Sequence, residues 1–286
     1  VTAALIAASR GIYYIATMLL FGASLFAALL SARLAVIAPM RLRALRWPAL
    51  AMASIAAIAW GALAAMQMAD ALDSQVLART ATDTLFGQLF LARMIALALL
   101  ACVLALSHGH RLAAALAGVA LLLPAATSHA AISSPAGFTA IGTVLDAIHL
   151  LTAGFWIGGL AVLALLFLRR EPNILLALSL FSEWAMVAVL LLVMTGMINA
   201  ASVLLGSPGK ASPVYIGILG AKLAGATAML CVAFVNRYWL MPEMGPDTTP
   251  ARKAGAALAR NVALELGLGA IVVLLAGVLG QLQPTL

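Results

Sequence analysis

The sequence predicts an all-α fold, a polytopic integral membrane bundle of about eight transmembrane helices. Three observations carry that expectation. Of 286 residues, 65% are hydrophobic and only 9% are charged, whereas an ordinary soluble domain carries roughly 25% charged residues. Mean hydropathy is +1.14, more apolar surface than a soluble fold of this size can enclose. The apolar residues also fall into repeated runs near the ~20 residues that a helix needs to cross the hydrocarbon.

Taken in order, the expected spans are 8–32, 48–69, 86–106, 112–127, 142–168, 178–204, 214–236 and 260–280. The first run lacks the basic region and processing pattern of a cleaved signal peptide, so it is read as a retained helix. The second starts at the boundary anchor Trp47 and ends in "AAMQMAD", and the third carries Arg93. The fourth, "LAAALAGVALLLPAAT", is the weakest, being short and containing Pro124. Internal proline is tolerated where neighbouring helices repair the backbone bonding, and the alternative is a seven-span protein with this run re-entrant. Small residues in "GASLFAALLSA", "GFWIGGL" and "GAKLAGA" allow close helix approach. With short loops throughout, residues 1–286 read as a single domain, its longest loop running from Arg237 to Ala259.

Orientation follows from the basic residues. Eleven (Arg33, Arg41, Arg43, Arg46, Arg111, Arg169, Arg170, Arg237, Arg252, Lys253 and Arg260) fall at one set of span ends, and three (Arg10, Arg79 and Lys210) at the other. The positive-inside rule puts the eleven in the cytoplasm and both termini outside, which in a bacterial inner membrane means the periplasm. The same distribution turns the net charge of +7 away from nucleic acid and toward the lipid bilayer. Cys102 and Cys231 both lie inside apolar runs and form neither a disulfide framework nor a CxxC motif.

Polar residues inside the spans need a reason. Asp146 and His149 lie in the outer part of the fifth span, three residues apart on one helical face, with Trp156 two turns further on. His129, in "ATSHAAISSPAG", lies just beyond the fourth span, so the two histidines can meet at the outer surface. Neutral imidazole binds copper, zinc or iron, and a carboxylate such as Asp146 can orient a ring. Met66 and Met68, and Met194 and Met197, lie at the same outer depth, and thioethers select Cu(I) over Cu(II). The expected metal residues are therefore His129, His149, Met66, Met68, Met194 and Met197, with Asp146 and Trp156 orienting ligands or lining the entrance. Arg93, Asn199 and Lys222 are the intramembrane polar groups, with at least one of the two cations expected near a carboxylate or backbone carbonyl cluster. His108 and His110, in "SHGH" on the cytoplasmic side, are a possible exit for metal.

The sequence resembles the copper resistance protein D family. The likeness rests on "ATSHAA" at 126–131, "DAIHLLTAGFWIGGL" at 146–160, "FSEWAM" at 181–186, "VMTGMINA" at 193–200, "GAKLAGA" at 220–226, "NRYWLMP" at 236–242 and "RNVALELGLGAIVVLLAGVLG" at 260–280. These blocks span 126–280, and the first half agrees in hydropathy and placement. The resemblance implies copper ion transport, inward from the periplasm, with a periplasmic copper-binding protein as donor. It implies no enzyme: the chain has no GxxxxGK[ST] stretch for nucleotide. Two readings stand beside transport. One is a membrane haem protein with His129 and His149 as axial ligands; the other is a membrane partner that accepts copper without transporting it.

Overall fold

The computed structural model describes residues 2–33, 39–68, 82–106, 109–127, 136–206, 212–244 and 249–282. Within these ranges it leaves out the side chains of 32–33, 39–41, 68, 126–127, 136–140, 203–206 and 249–250. The described residues form helices and no strands: α1 (Thr2–Arg33), α2 (Pro39–Met68), α3 (Leu85–Ala105), α4 (His110–Leu122), α5 (Ala136–Leu168), α6 (Ile174–Gly206), α7 (Pro213–Val235) and α8 (Thr249–Leu279). Seven of them are long and apolar enough to cross a membrane, and α4 is shorter.

The helices outrun the apolar spans. The second starts at Pro39 rather than 48, the sixth at Ile174 rather than 178, and the eighth at Thr249 rather than 260. Hydropathy reports only the hydrocarbon crossing, whereas a backbone already helical continues into the headgroup layer while its Arg and Lys side chains reach water. Proline decides two of the helix ends. Pro124 lacks an N–H and its ring crowds the preceding turn, so α4 tightens into a 3-10 turn at Leu123–Thr127. Past α7 the chain widens into a π turn at Asn236–Leu240 and closes with a 3-10 turn, Met241–Glu243, containing Pro242.

Helices α1 and α5 are central. The first packs against α2, α4, α5 and α8, and α5 against α1, α6 and α8. Their crossing is made by glycine: a Cβ on Gly22 would collide with the Gly154 carbonyl and lie 2.8 Å from the Gly158 Cα. Below this contact the rings of Phe26, Phe155 and Phe181 stand 5.5–6.4 Å apart and hold α1, α5 and α6 together. A second core of Tyr13, Trp60, Leu97, Leu100 and Ala117 joins α1 to α2, α3 and α4. The two cores leave polar residues of α5, α6 and α7 to face one another near one end of the bundle.

Candidate functional site

Asp146 and His149, one turn apart on α5, face α6. The His149 Nδ1 lies 3.0 Å from the Thr195 Oγ1, and the Asn199 Nδ2 donates to the Asp146 Oδ1 at 2.7 Å. Thr195 and Asn199 are four residues apart and so share one face of α6. Gly196 makes room for the ring, since a Cβ there would stand 3.2 Å from the His149 Cε1. From α7 the Lys222 ammonium interacts electrostatically with both Asp146 and His149. The site is thus a five-residue polar cluster drawn from three helices.

Hydrogen-bond direction assigns the histidine tautomer. The Thr195 hydroxyl donates to its own helix, to the Leu191 carbonyl at 2.7 Å, so its oxygen accepts from His149 Nδ1–H. A neutral ring with its proton on Nδ1 presents a lone pair on Nε2. His149 also hydrogen-bonds to the Leu192 backbone carbonyl on α6. The ring is therefore oriented from α6, and in the Nδ1-protonated tautomer it keeps an Nε2 lone pair, the arrangement usual for metal-binding histidines.

The other expected site residues are distributed differently. His129 and His108 lie outside the described residues, as does the side chain of Met68. Met194 and Met197 are 52% and 67% exposed. Met197 falls two residues from both Thr195 and Asn199, about 200° round the helix, so it points away from His149 rather than beside it. Met66 is likewise exposed, at the end of α2. Shared depth had grouped these sulfurs with His149, and helix rotation separates Met197 from it. Among the described residues no three His, Cys, Asp or Glu side chains converge.

Trp156 is buried on α5 and faces the Glu265 carboxyl rather than the Asp146 end. His110 is half-buried, and its Nδ1 accepts from both terminal nitrogens of Arg46 at 3.1 Å. That nitrogen is committed to a guanidinium, whose charge repels a metal cation. Arg93 is 1% exposed, and among the described residues the ionisable groups acting on it are Tyr13, Tyr14 and Arg10, with no carboxylate. Its guanidinium lies 4.4 Å from the Trp60 ring centre, with Tyr13 and Phe86 within 5.9 Å, and its Nε donates to the Leu89 carbonyl. Aromatic faces serve here where Lys222 has the Asp146 carboxylate, as cation–π contacts permit in a desolvated setting. Sequence reasoning missed Thr195 and Gly196, both inside "VMTGMINA"; the signal available was a hydroxyl and a glycine in adjacent positions on an apolar helix.

A bundle of long apolar helices enclosing an oriented histidine, a carboxylate and an ammonium defines a multi-pass α-helical membrane protein with a polar site between its helices. The family model for copper resistance protein D matches residues 175–279, and that for the copper resistance protein D-like N-terminal domain matches residues 1–139. The chain is 30% identical over 210 residues to Inner membrane protein YebZ of Escherichia coli, covering 71% of this chain and 70% of that protein. It is 30% identical over 224 residues to Copper resistance protein D of Pseudomonas syringae pv. tomato, with coverage of 71% and 70%. A shorter match, 37% identical over 84 residues, covers 28% of this chain and 15% of Copper transport protein CutJ of Bacillus subtilis. The chain belongs to the copper resistance protein D family. Asp146 and His149 lie between the two matched stretches, on the helix that joins them.

Proposed function

We propose that this protein carries copper ions across the bacterial inner membrane, from periplasm to cytoplasm, with His149 as the entry ligand. The observation that carries the reading is the His149–Thr195 hydrogen bond, which orients the ring and leaves Nε2 for a soft cation. His129 supplies a second imidazole, and Met66, Met68 and Met194 offer sulfur to Cu(I) at the same membrane face. Asp146 concentrates cations at the mouth while Asn199 holds its carboxylate in place. A periplasmic copper-binding protein delivers the ion. Few contacts suit a transporter, because a conducting site must release what it binds.

Transport needs no ATP in this scheme. A membrane potential negative inside favours entry of a monovalent cation by ~2.3 kcal/mol per 100 mV. The orientation rests on the eleven-to-three basic asymmetry, with Arg43 and Arg46 at the cytoplasmic end of α2. Single cysteines probed with an impermeant thiol reagent test it, and labelling at Ala44 from outside spheroplasts reverses the direction. Flux tests the function itself. Sealed proteoliposomes under an imposed potential should accumulate Cu(I), and His149→Ala should reduce the initial rate by at least tenfold, about 1.4 kcal/mol. Metal that binds the vesicles without entering the lumen replaces transport with a copper-accepting role.

A further inference from the structure

A second polar cluster sits toward the other end of the bundle, where α5, α7 and α8 meet. Glu265, on α8, is 2% exposed. It lies five residues beyond Arg260, roughly 7.5 Å deeper along the helix axis. The Asn236 Nδ2 donates to its Oε1 at 2.6 Å, and the Asn236 Oδ1 accepts from the Asn261 Nδ2 at 2.8 Å. Trp156 approaches the same carboxyl from α5. Asn236 opens the π turn after α7, and π turns inside helices recur at functional positions because they re-aim side chains and backbone groups.

All of these partners are neutral, and among the described residues the nearby charges are turned or placed elsewhere. On the α7 extension, Arg237 is turned away to the Ser182 carbonyl and hydroxyl on α6. Between His149 and Arg169, α5 carries no titratable side chain. On α1, Arg10 bonds to the Gly280 carbonyl at the opposite end of the bundle. Glu183 of α6 and Glu243 past α7 are exposed, and Arg260 lies more than a turn away on α8 itself. A carboxylate taken into an apolar interior without a cation is costly enough that it ordinarily takes up a proton instead.

We propose that Glu265 is the proton-binding site of the bundle, holding a proton in the membrane interior and exchanging it through the Asn236–Asn261 amide chain toward the basic end. The ligand is the proton alone: uptake forms an O–H bond on the carboxylate and release breaks it, with no change of oxidation state. When the proton leaves, Asn236 holds the anion by a hydrogen bond, so the ionised form can be visited without a metal. The inference does not rest on copper transport, and its test uses metal-free protein.

The chain has four glutamates, Glu171, Glu183, Glu243 and Glu265, which makes isotope editing practical. Protein carrying carbon-13 glutamate is placed in lipid nanodiscs and followed by infrared spectroscopy as pH is stepped from neutral upward. The expected result is one isotope-shifted carboxylic-acid C=O band at neutral pH that fades as pH rises. That band should vanish in Glu265→Gln and persist in Glu183→Gln. Should Glu265→Gln fail to fold, Asn236→Ala serves, because loss of the amide hydrogen bond must move the band. Absence of the band from the wild type at neutral pH overturns the proposal, as does its survival in Glu265→Gln or an unmoved band in Asn236→Ala. Failure of copper flux with the band intact would leave this site standing and remove only the copper reading.

Discussion

Replacing Thr195 with valine isolates the hydrogen bond that orients His149. Valine keeps the shape of threonine and removes only the hydroxyl, which in the wild type donates to Leu191 and accepts from His149 Nδ1. Without the oxygen, the imidazole has two options. It keeps its proton on Nδ1 and loses the acceptor that Thr195 supplied, at a cost of up to about 1–3 kcal/mol. Otherwise it moves the proton to Nε2 and blocks the nitrogen assigned to the metal. Either outcome penalises the metal-binding form, and loss of a hydrogen-bond partner behind a ligating histidine typically lowers metal affinity 10–100-fold. The two estimates agree, since that range corresponds to about 1.4–2.8 kcal/mol. The assay is competition for Cu(I) against a calibrated chelator at fixed pH, because protons compete for imidazole. Thr152→Val is the control: its hydroxyl bonds to the Ile148 and His149 carbonyls of its own helix and should leave affinity within twofold, well under 1 kcal/mol. Wild-type affinity in a folded Thr195→Val protein would refute the tautomer argument.

Lys222 and the glycine crossing give two further tests. Lys222→Met removes the ammonium that interacts with Asp146 and His149, so folded yield should fall while Cu(I) affinity in the surviving protein rises, a cation having left the neighbourhood of the metal. Arg169→Met, at the exposed end of α5, should do neither, and equal effects at the two positions count against an interior role for Lys222. Gly22→Val places a side chain against the Gly154 carbonyl and the Gly158 backbone; overpacking of this kind costs about 1–3 kcal/mol or more, read as a lower melting temperature in detergent. Gly217 has nothing within 4 Å of an added Cβ, so Gly217→Ala should be neutral or gain up to ~1 kcal/mol of helix stability. Equal destabilisation by both substitutions would show that the α1–α5 crossing is not the tight contact described.

What the sequence made legible was depth, and what it left hidden was rotation. Run length marks each span because hydropathy varies along the membrane normal; of the eight spans expected, seven are helices long and apolar enough to cross a membrane and the fourth is shorter. Pro124 had marked that fourth run as the weak one, and the tightened turn at Leu123–Thr127 is its physical expression. Which way each face points is set by contacts between small residues far apart in sequence, such as Gly22 against Gly154 and Gly158. Hydropathy contains no term for these. Ligand sets depend on rotation as much as on depth. Met197 shares the depth of Asn199, yet Asn199 reaches Asp146 and Met197 is 67% exposed. Arg93 shows a second limit of the same kind. A buried cation needs a counterpart, and a carboxylate is the natural expectation, but only nine acidic residues exist in the chain. Trp60 meets it instead, at 4.4 Å. In so acid-poor a bundle, an ionisable side chain can be balanced by an aromatic face, an amide or a hydroxyl instead of an opposite charge. His149 with Thr195, Arg93 with Trp60 and Glu265 with Asn236 are three cases of it. Lys222 beside Asp146 is balanced by opposite charge instead, and it occurs in the cluster that also holds the oriented histidine. An acid and a base stand together there, so the charge of Lys222 offsets that of Asp146, and this is why Lys222→Met is the substitution expected to change how the cluster receives a cation.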